Sequence, residues 1–145
     1  MRHNGALASI RAGDIALGMF SLEFASTGLA RTVASAGADF IVFDQEHTGW
    51  TTETIRQLLS SARASEIAPI VRVPTSESHG IGIALALGAL GVMVPMVDTA
   101  DEARAIVAAA KYPPEGARGF AVLYEDEHQN DVARYMREAE VDATA

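Results

Sequence analysis

Hydrophobic residues along this chain form short continuous runs, and segments with helical spacing separate them. The continuous runs have the length of strands and predict them over residues 15–20, 40–43, 69–73 and 91–97. Apolar residues three or four positions apart predict helices over 27–36, 51–65, 79–87 and 100–110, followed by a more polar helix over 130–139. Because the strand runs are continuous rather than alternating, both faces of each strand are expected to be buried. This pattern is typical of a parallel sheet covered by helices.

Local signals predict where several of these elements begin or end. Thr99 followed by Glu102 is the pattern of a capping box at the start of the helix over 100–110. Gly37 and Gly88 each follow a predicted helix, as a glycine C-cap does. Two prolines and two glycines within residues 111–119 predict a loop.

Alternating strands and helices with short connections allow two architectures, a doubly wound open sheet and part of a (β/α)8 barrel. The phosphate-binding patterns GxGxxG and GxxxxGKS do not occur, which weakens the nucleotide-binding version of the open sheet. A complete barrel usually needs about 250 residues, whereas this chain has 145. We therefore predict a single α/β domain over residues 1–145, which is either a small open sheet or about half a barrel.

Composition and charge exclude several classes of function. The formal net charge of −8 argues against a nucleic-acid-binding or anionic membrane surface, and no apolar segment has the pattern of a membrane span. The chain has no cysteine, so it can form neither disulfides nor thiolate metal sites. These features fit a cytoplasmic protein, and a small anionic substrate would need a local cationic contact.

Polar side chains follow the second and third predicted strands. Asp44, Glu46 and His47 come directly after the second strand, and Arg72 lies at the end of the third. Since the carboxyl ends of parallel strands meet at one edge, His47 and Arg72 are expected in the same crevice. His47 is either a general base or a loop histidine that caps Asp44 or a backbone carbonyl. Arg72 either recognises a carboxylate or forms an ion pair with Asp44 or Glu46.

Several other residues that could carry chemistry receive structural interpretations. His79 and His128 lie in polar stretches and are predicted to be surface residues. The acidic run 125–127 is predicted to be solvated, and Met93 and Met96 are predicted to lie in the core. Taken alone, these patterns indicate an acid–base site of undefined chemistry.

Four stretches of the chain together resemble one known family. They are LGMF at 17–20, AGADFIVFDQEHTGW at 36–50, PIVRVP at 69–74 and GALGVMVPMVDTADEARAIVAAAKYPPEGARG at 88–119. The sequence resembles the HpcH/HpaI aldolase family, the metal-dependent pyruvate aldolases typified by hydroxy-ketoacid and 2-keto-3-deoxy-sugar-acid aldolases. The stretches occur in the order and spacing of that family over nearly the whole chain.

The resemblance implies a TIM (β/α)8 barrel, of which this chain would supply about the first four units, and commonly an oligomer. It implies reversible aldol cleavage of a 2-keto acid to pyruvate and an aldehyde, with a divalent cation (Mg²⁺, Mn²⁺ or Co²⁺) that stabilises the enolate. By position, His47 matches the catalytic base and Arg72 the arginine that binds the pyruvate moiety. Asp44 and Glu46 match the acidic residues beside that histidine.

Two departures from the family pattern bear on activity. Ala86 stands where the family normally has an aspartate that raises the basicity of the histidine. The metal-binding glutamate and aspartate of the family are expected beyond Ala145, so the metal ligands would be absent from this chain.

Two interpretations of function stay open from the sequence, since the four matching stretches argue against a third, an unrelated open α/β binding domain. The first is an aldolase subunit or fragment that acts together with a second chain or a longer product. The second is a non-catalytic half-barrel relic or interaction module. In both cases the first and fourth strands would be open edges, so we predict a homo-oligomer or pairing with a complementing chain.

Overall fold

The computed structural model describes residues 3–120 together with 131, 135 and 136. Within these residues, helices and strands alternate after an N-terminal helix. Their bounds are α1 (Gly5–Ala12), β1 (Gly18–Ser21), α2 (Leu29–Ser35), β2 (Phe40–Asp44), α3 (Thr52–Ala62), β3 (Ala68–Arg72), α4 (Ser78–Ala86), β4 (Gly91–Met93) and α5 (Ala100–Ala110). The predicted strands and their intervening helices are thus all present, and their ends differ from the predicted ones by at most four residues.

The four strands form one parallel sheet in the order β1-β2-β3-β4. A doubly wound sheet reverses its strand order, whereas successive βα units of a barrel keep the order of the chain. The sequential order therefore favours the barrel-type architecture over the open doubly wound sheet.

One face of the sheet packs against the helices and forms the main core. Ile41 and Phe43 of β2 and Val71 of β3 point to this face and are fully buried. The amphipathic helix α3 covers them with four buried residues, which are Ile55, Leu58, Leu59 and Ala62. Because side chains alternate along a strand, Val42, Asp44 and Arg72 lie on the opposite face.

A second, smaller core closes the end of the sheet where the strands begin. Ala6 of α1 packs there with Ala68 and Leu90, beside the partly buried Phe40. Helix α1 was not predicted from the sequence, because its short apolar segment carries a weak pattern. The buried Asn4 holds it: its side chain accepts a hydrogen bond from the Leu7 amide at 3.0 Å and donates one to the Leu90 carbonyl at 3.3 Å.

The prediction that Met93 and Met96 lie in the core is wrong. Met93 is 39% exposed and Met96 is 82% exposed. Strand β4 ends at Met93, and Met96 adopts a left-handed conformation with φ 51° in the turn that follows. Among the described strands β4 pairs only with β3, so no further strand covers these side chains.

Several predictions concern residues outside the described part of the chain. The acidic run 125–127 and His128 lie there, and so does most of the predicted helix over 130–139. Of that helix, only residues 135 and 136 are described as helical. Among the described residues, no helix is both long enough and apolar enough to span a membrane.

The segment 111–119 is a loop, as its prolines and glycines predicted, and it folds back onto the end of α5. The Ala117 amide donates to the Ala108 carbonyl at 2.7 Å, and the Arg118 amide donates to the Lys111 carbonyl at 2.9 Å. A Cβ atom at Gly116 would lie 2.3 Å from the Lys111 carbonyl oxygen. Glycine is therefore required for this close approach of two backbone segments.

The capping box at the start of α5 is confirmed. Thr99 accepts a hydrogen bond from the Glu102 amide at 3.2 Å, and the Glu102 carboxylate accepts one from the Thr99 amide at 2.9 Å. A further bond from the Asp98 amide reaches the same carboxylate, and these bonds hold the pKa of Glu102 below its ordinary value, the Asp98 amide contributing most. The local pattern alone was sufficient to place this helix start.

Thr99→Ala is expected to lower the free energy of unfolding of the chain by about 1 kcal/mol, because the Glu102 amide loses its acceptor. Urea denaturation followed by circular dichroism measures the change. Thr99→Ser is the matched control, since it keeps the hydroxyl and should retain most of the stability. Equal stability of the alanine variant and the wild type would contradict the capping role.

Candidate functional site

Asp44 is the buried centre of a polar cluster at the carboxyl end of β2. Its side chain is 0% exposed. Oδ1 accepts hydrogen bonds from the Glu46 amide at 2.8 Å and from the His47 amide at 3.3 Å. The main-chain carbonyl of Asp44 accepts a bond from the Thr48 hydroxyl at 2.6 Å. One carboxylate thus fixes the backbone of the turn that carries Glu46 and His47.

Arg72 faces Asp44 from the neighbouring strand, because the two residues are register partners of β2 and β3. Its Nε donates to Asp44 Oδ1 at 3.0 Å and its Nη2 donates to Oδ2 at 2.6 Å, which makes a bidentate ion pair. Nε also lies 3.3 Å from Glu46 Oε2. The side chain remains 19% exposed. A bidentate contact of this kind fixes the plane of a guanidinium as well as its position.

This pairing changes the ionisation of both partners. The hydrogen bond from Arg72, with smaller contributions from the Glu46 and His47 amides, holds the pKa of Asp44 below its ordinary value. The same bond raises the pKa of Arg72 above its already high ordinary value. The two groups are therefore both charged at neutral pH, and the guanidinium keeps its charge while Asp44 and Glu46 fix its position.

His47 lies at the rim of the same cluster. Its imidazole is 62% exposed, and its Nε2 lies 3.6 Å from Glu46 Oε2. Glu46 is mostly buried and lies between the imidazole and the Arg72 guanidinium. An accessible imidazole beside a fixed arginine can move a proton while the cation stabilises negative charge.

The structure brings the four predicted site residues together at one edge of the sheet, as the strand ends implied. Of the two interpretations of Arg72, the ion pair is present, and it involves both Asp44 and Glu46. For His47, the bond to Asp44 comes from its backbone amide. The imidazole itself stays exposed to solvent. His79 lies in the first turn of α4 and is exposed, as predicted for a surface residue.

Phe20 belongs to this site, although the sequence assigned it only to the first strand. Its ring centroid lies 5.1 Å from Cζ of Arg72, which is cation–π distance. Phe20 pairs with Val42 in the sheet, so it shares a face with Asp44 and Arg72. Side chains alternate along β1, so Phe20 could have been assigned to the face of Asp44 and Arg72 from the sequence. That assignment needs the correct start of the strand, which the sequence did not give.

The described residues do not form a metal site. No group of three or more histidines, aspartates and glutamates among them could hold an ion. Asp44 uses both carboxylate oxygens on Arg72, and Glu46 Oε2 is shared with Arg72 and His47. Metal dependence therefore stays a prediction, and any metal ligands would come from outside the described residues.

Ala86, which stands where the family pattern has an aspartate, lies in helix α4. Ala86 is the last residue of α4, at the end of the helix away from its first turn. Among the described residues, the carboxylate that contacts the His47 imidazole is that of Glu46, at 3.6 Å.

Comparison with known proteins shows the family of this chain. The family model described as HpcH/HpaI aldolase/citrate lyase matches residues 17–143. This chain belongs to the HpcH/HpaI aldolase/citrate lyase family. The family assignment made from the four sequence stretches is thereby confirmed, and it covers nearly the whole chain.

Two curated relatives in this HpcH/HpaI family illustrate the range of its members. The 4-hydroxy-2-oxovalerate aldolase of Novosphingobium aromaticivorans is 42% identical over 121 residues, which are 81% of this chain and 45% of the relative. The hydroxypyruvate/pyruvate aldolase of Roseobacter denitrificans is 37% identical over 111 residues, which are 77% of this chain and 43% of the relative. The chain spans about half the length of the curated relatives it matches.

Solved structures of the HpcH/HpaI family confirm the fold. The HpcH/HpaI aldolase from Desulfitobacterium hafniense DCB-2 superimposes with a TM-score of 0.87 at 29% identity, covering 94% of this chain and 53% of that one. A family protein from Burkholderia cenocepacia J2315 gives a TM-score of 0.83 at 28% identity, covering 97% of this chain and 57% of that one. The four βα units of this chain are therefore units of a TIM-barrel aldolase fold, as predicted.

Proposed function

We propose that the whole protein is a carbon–carbon lyase of the pyruvate-aldolase type, which cleaves a 2-keto acid reversibly to pyruvate and an aldehyde. The observation that carries this proposal is the fixed pair of Asp44 and Arg72 beside the exposed imidazole of His47. The names of the relatives support the class of reaction, since two of them are aldolases of a hydroxy-oxo acid and of pyruvate.

In the proposed cleavage, His47 acts as the base. Its neutral imidazole accepts the proton of the hydroxyl on C4 of the substrate, the C3–C4 bond breaks, and the electron pair of that bond forms the enolate of pyruvate. C4 becomes the carbonyl carbon of the aldehyde, which leaves. Return of a proton to C3 then gives pyruvate, so atoms and charges balance. An imidazole is suited to both transfers because it titrates near neutral pH.

Arg72 binds the 2-keto acid in this proposal. Asp44 and Glu46 occupy Nε and Nη2, and none of the described residues accepts a hydrogen bond from Nη1. Nη1 is therefore the donor that is open to the carboxylate or the keto oxygen of a substrate. As negative charge develops on the enolate oxygen, a preorganised cation stabilises it without moving.

Asp44 and Glu46 act through their neighbours and do not touch the substrate. Asp44 sets the plane of Arg72 and the turn that carries His47. Glu46 connects the imidazole to the guanidinium. Their role is to keep base and cation at a constant separation, which is the condition for efficient intramolecular chemistry.

The test is the release of pyruvate from 4-hydroxy-2-keto acids by the whole protein, with Mg²⁺, Mn²⁺ or Co²⁺ added and removed. Lactate dehydrogenase coupled to loss of NADH absorbance reports pyruvate directly. Release that depends on the added cation is expected, with ligands supplied outside the described residues. If no 2-keto acid is cleaved and none is formed from pyruvate and aldehydes, the proposal is wrong and a non-catalytic role follows.

A further inference from the structure

We infer that Phe20 is a positioning residue that holds the Arg72 guanidinium in the orientation needed for the 2-keto acid. This inference rests on the proposed function, and it assigns the site an aromatic member from a third strand. The ring centroid of Phe20 lies 5.1 Å from Cζ of Arg72. Cation–π attraction at this distance favours a guanidinium that stays over the ring.

The strand register explains how Phe20 reaches Arg72. Phe20 of β1 pairs with Val42 of β2, and Asp44, two residues further along β2, pairs with Arg72 of β3. These four residues share one face of the sheet, opposite the helices. Phe20 and Arg72 are thus on strands separated by β2, and the long arginine side chain spans that distance. The contact depends on three strands held in register.

The ring supplies a constraint that the carboxylates cannot. Asp44 and Glu46 bind Nε and Nη2, which hold one edge of the guanidinium. A planar group held along one edge can still tilt about that edge. The Phe20 ring opposes the tilt, because Cζ of Arg72 lies over it at 5.1 Å and a tilt would move the cation off the ring. The carboxylates and the ring together therefore limit the directions in which Nη1 can donate.

Exposure separates this role from simple core packing. Phe20 is 39% exposed, and it belongs to neither of the two buried clusters. Because its ring lies 5.1 Å from Cζ of Arg72, Phe20 closes that side of the guanidinium to a substrate carboxylate. The ring also adds an apolar wall beside the cation.

Nuclear magnetic resonance of the full chain tests the contact without any ligand. With ¹⁵N-labelled arginine, the Hε resonance of Arg72 should carry an upfield ring-current shift and slow exchange with water. Phe20→Leu should remove the shift and speed the exchange, whereas Phe20→Tyr and Phe20→Trp should retain both. Phe24→Leu is the matched control, since Phe24 is an exposed phenylalanine nearby on the chain and its recorded contact is to Ser21.

Pyruvate binding by the whole protein tests the consequence. Phe20→Leu is expected to raise the dissociation constant for pyruvate by about three- to tenfold, with rescue by tyrosine or tryptophan, because a partly exposed cation–π contact has this magnitude. A dissociation constant that does not change in Phe20→Leu overturns the inference. So does an Arg72 Hε signal that is the same in wild type and Phe20→Leu.

The two readouts separate this inference from the proposed function. If the ring-dependent shift is present but the wild type binds no pyruvate, the proposed function fails and the substrate-orienting role fails with it. If pyruvate binds equally in wild type and Phe20→Leu, only the role of Phe20 fails. A lost shift together with weakened, aromatic-rescued binding supports both.

Discussion

His47→Ala in the whole protein is expected to lower kcat for pyruvate release by about 10²- to 10⁴-fold, the usual contribution of a positioned general base. The dissociation constant for pyruvate should change little, because Arg72 and not the imidazole holds the 2-keto acid. Stopped assays of pyruvate formation give kcat, and titration with pyruvate gives the affinity. The split between the two parameters is what identifies a base rather than a binding residue.

His79→Ala is the matched control for this variant, because His79 is an exposed histidine in the first turn of α4. It should retain the wild-type rate. Since the His47 side chain is 62% exposed, added imidazole can enter the space left by the substitution, so partial chemical rescue is expected in His47→Ala. A rate for His47→Ala equal to that of His79→Ala would remove His47 from the mechanism.

Asp44→Ala is expected to cost the chain about 3–5 kcal/mol of unfolding free energy, as for a buried ion pair that loses one member. The substitution leaves Arg72, which is only 19% exposed, without its bidentate partner. It also leaves the Glu46 and His47 amides without their acceptor. Urea denaturation measured by circular dichroism and tryptophan fluorescence gives the change.

Asp101 offers a control of the same chemistry in a different environment. It pairs with Arg104 on the surface of α5, where both side chains are largely exposed. Asp101→Ala should cost less than about 1 kcal/mol, as exposed pairs do. The double variant Asp44→Ala with Arg72→Met should recover part of the loss, because it removes the unpaired cation. Equal losses for Asp44→Ala and Asp101→Ala would contradict the buried pair.

The pH dependence of stability provides a second measure of the same pair. The pKa of Asp44 is lower in the folded chain than its ordinary value of 3.8, mainly through the Arg72 hydrogen bond. Its contribution is therefore complete above about pH 4 and is lost as the pH falls through the folded pKa. The stability difference between wild type and Asp44→Ala should accordingly shrink below about pH 4. A constant difference between pH 7 and pH 3 would exclude this linkage.

Much of the architecture follows from local patterns that tertiary contacts do not override. Continuous apolar runs predicted all four strands of a parallel sheet, and the helix α3 and the capping box of α5 are confirmed. These features succeed because helical periodicity and capping depend on residues a few positions apart. Strand ends were less accurate. A run of apolar residues shows which segment can be buried, but the pairing of neighbouring strands decides where the ladder stops.

For the candidate site too, the sequence showed one part and the tertiary structure the other. Because parallel strands end at a common edge, residue order alone brought Asp44, Glu46, His47 and Arg72 together. Residue order could not show whether Arg72 pairs with an acid, since carboxylate recognition and an ion pair need the same residue types. Strand register shows the ion pair, because it puts Asp44 and Arg72 directly opposite each other.

The sequence by itself determined the family, the βα order and the four polar residues at the strand ends, because each depends on residue identity and short spacing. Only the tertiary structure decided the rest. Helix α1 is held by the contact of Asn4 with Leu90, a residue distant in the chain. Met93 and Met96 are exposed because no described strand pairs beyond β4. Phe20 contacts Arg72 because three strands share one register, and no local pattern encodes a contact across three strands.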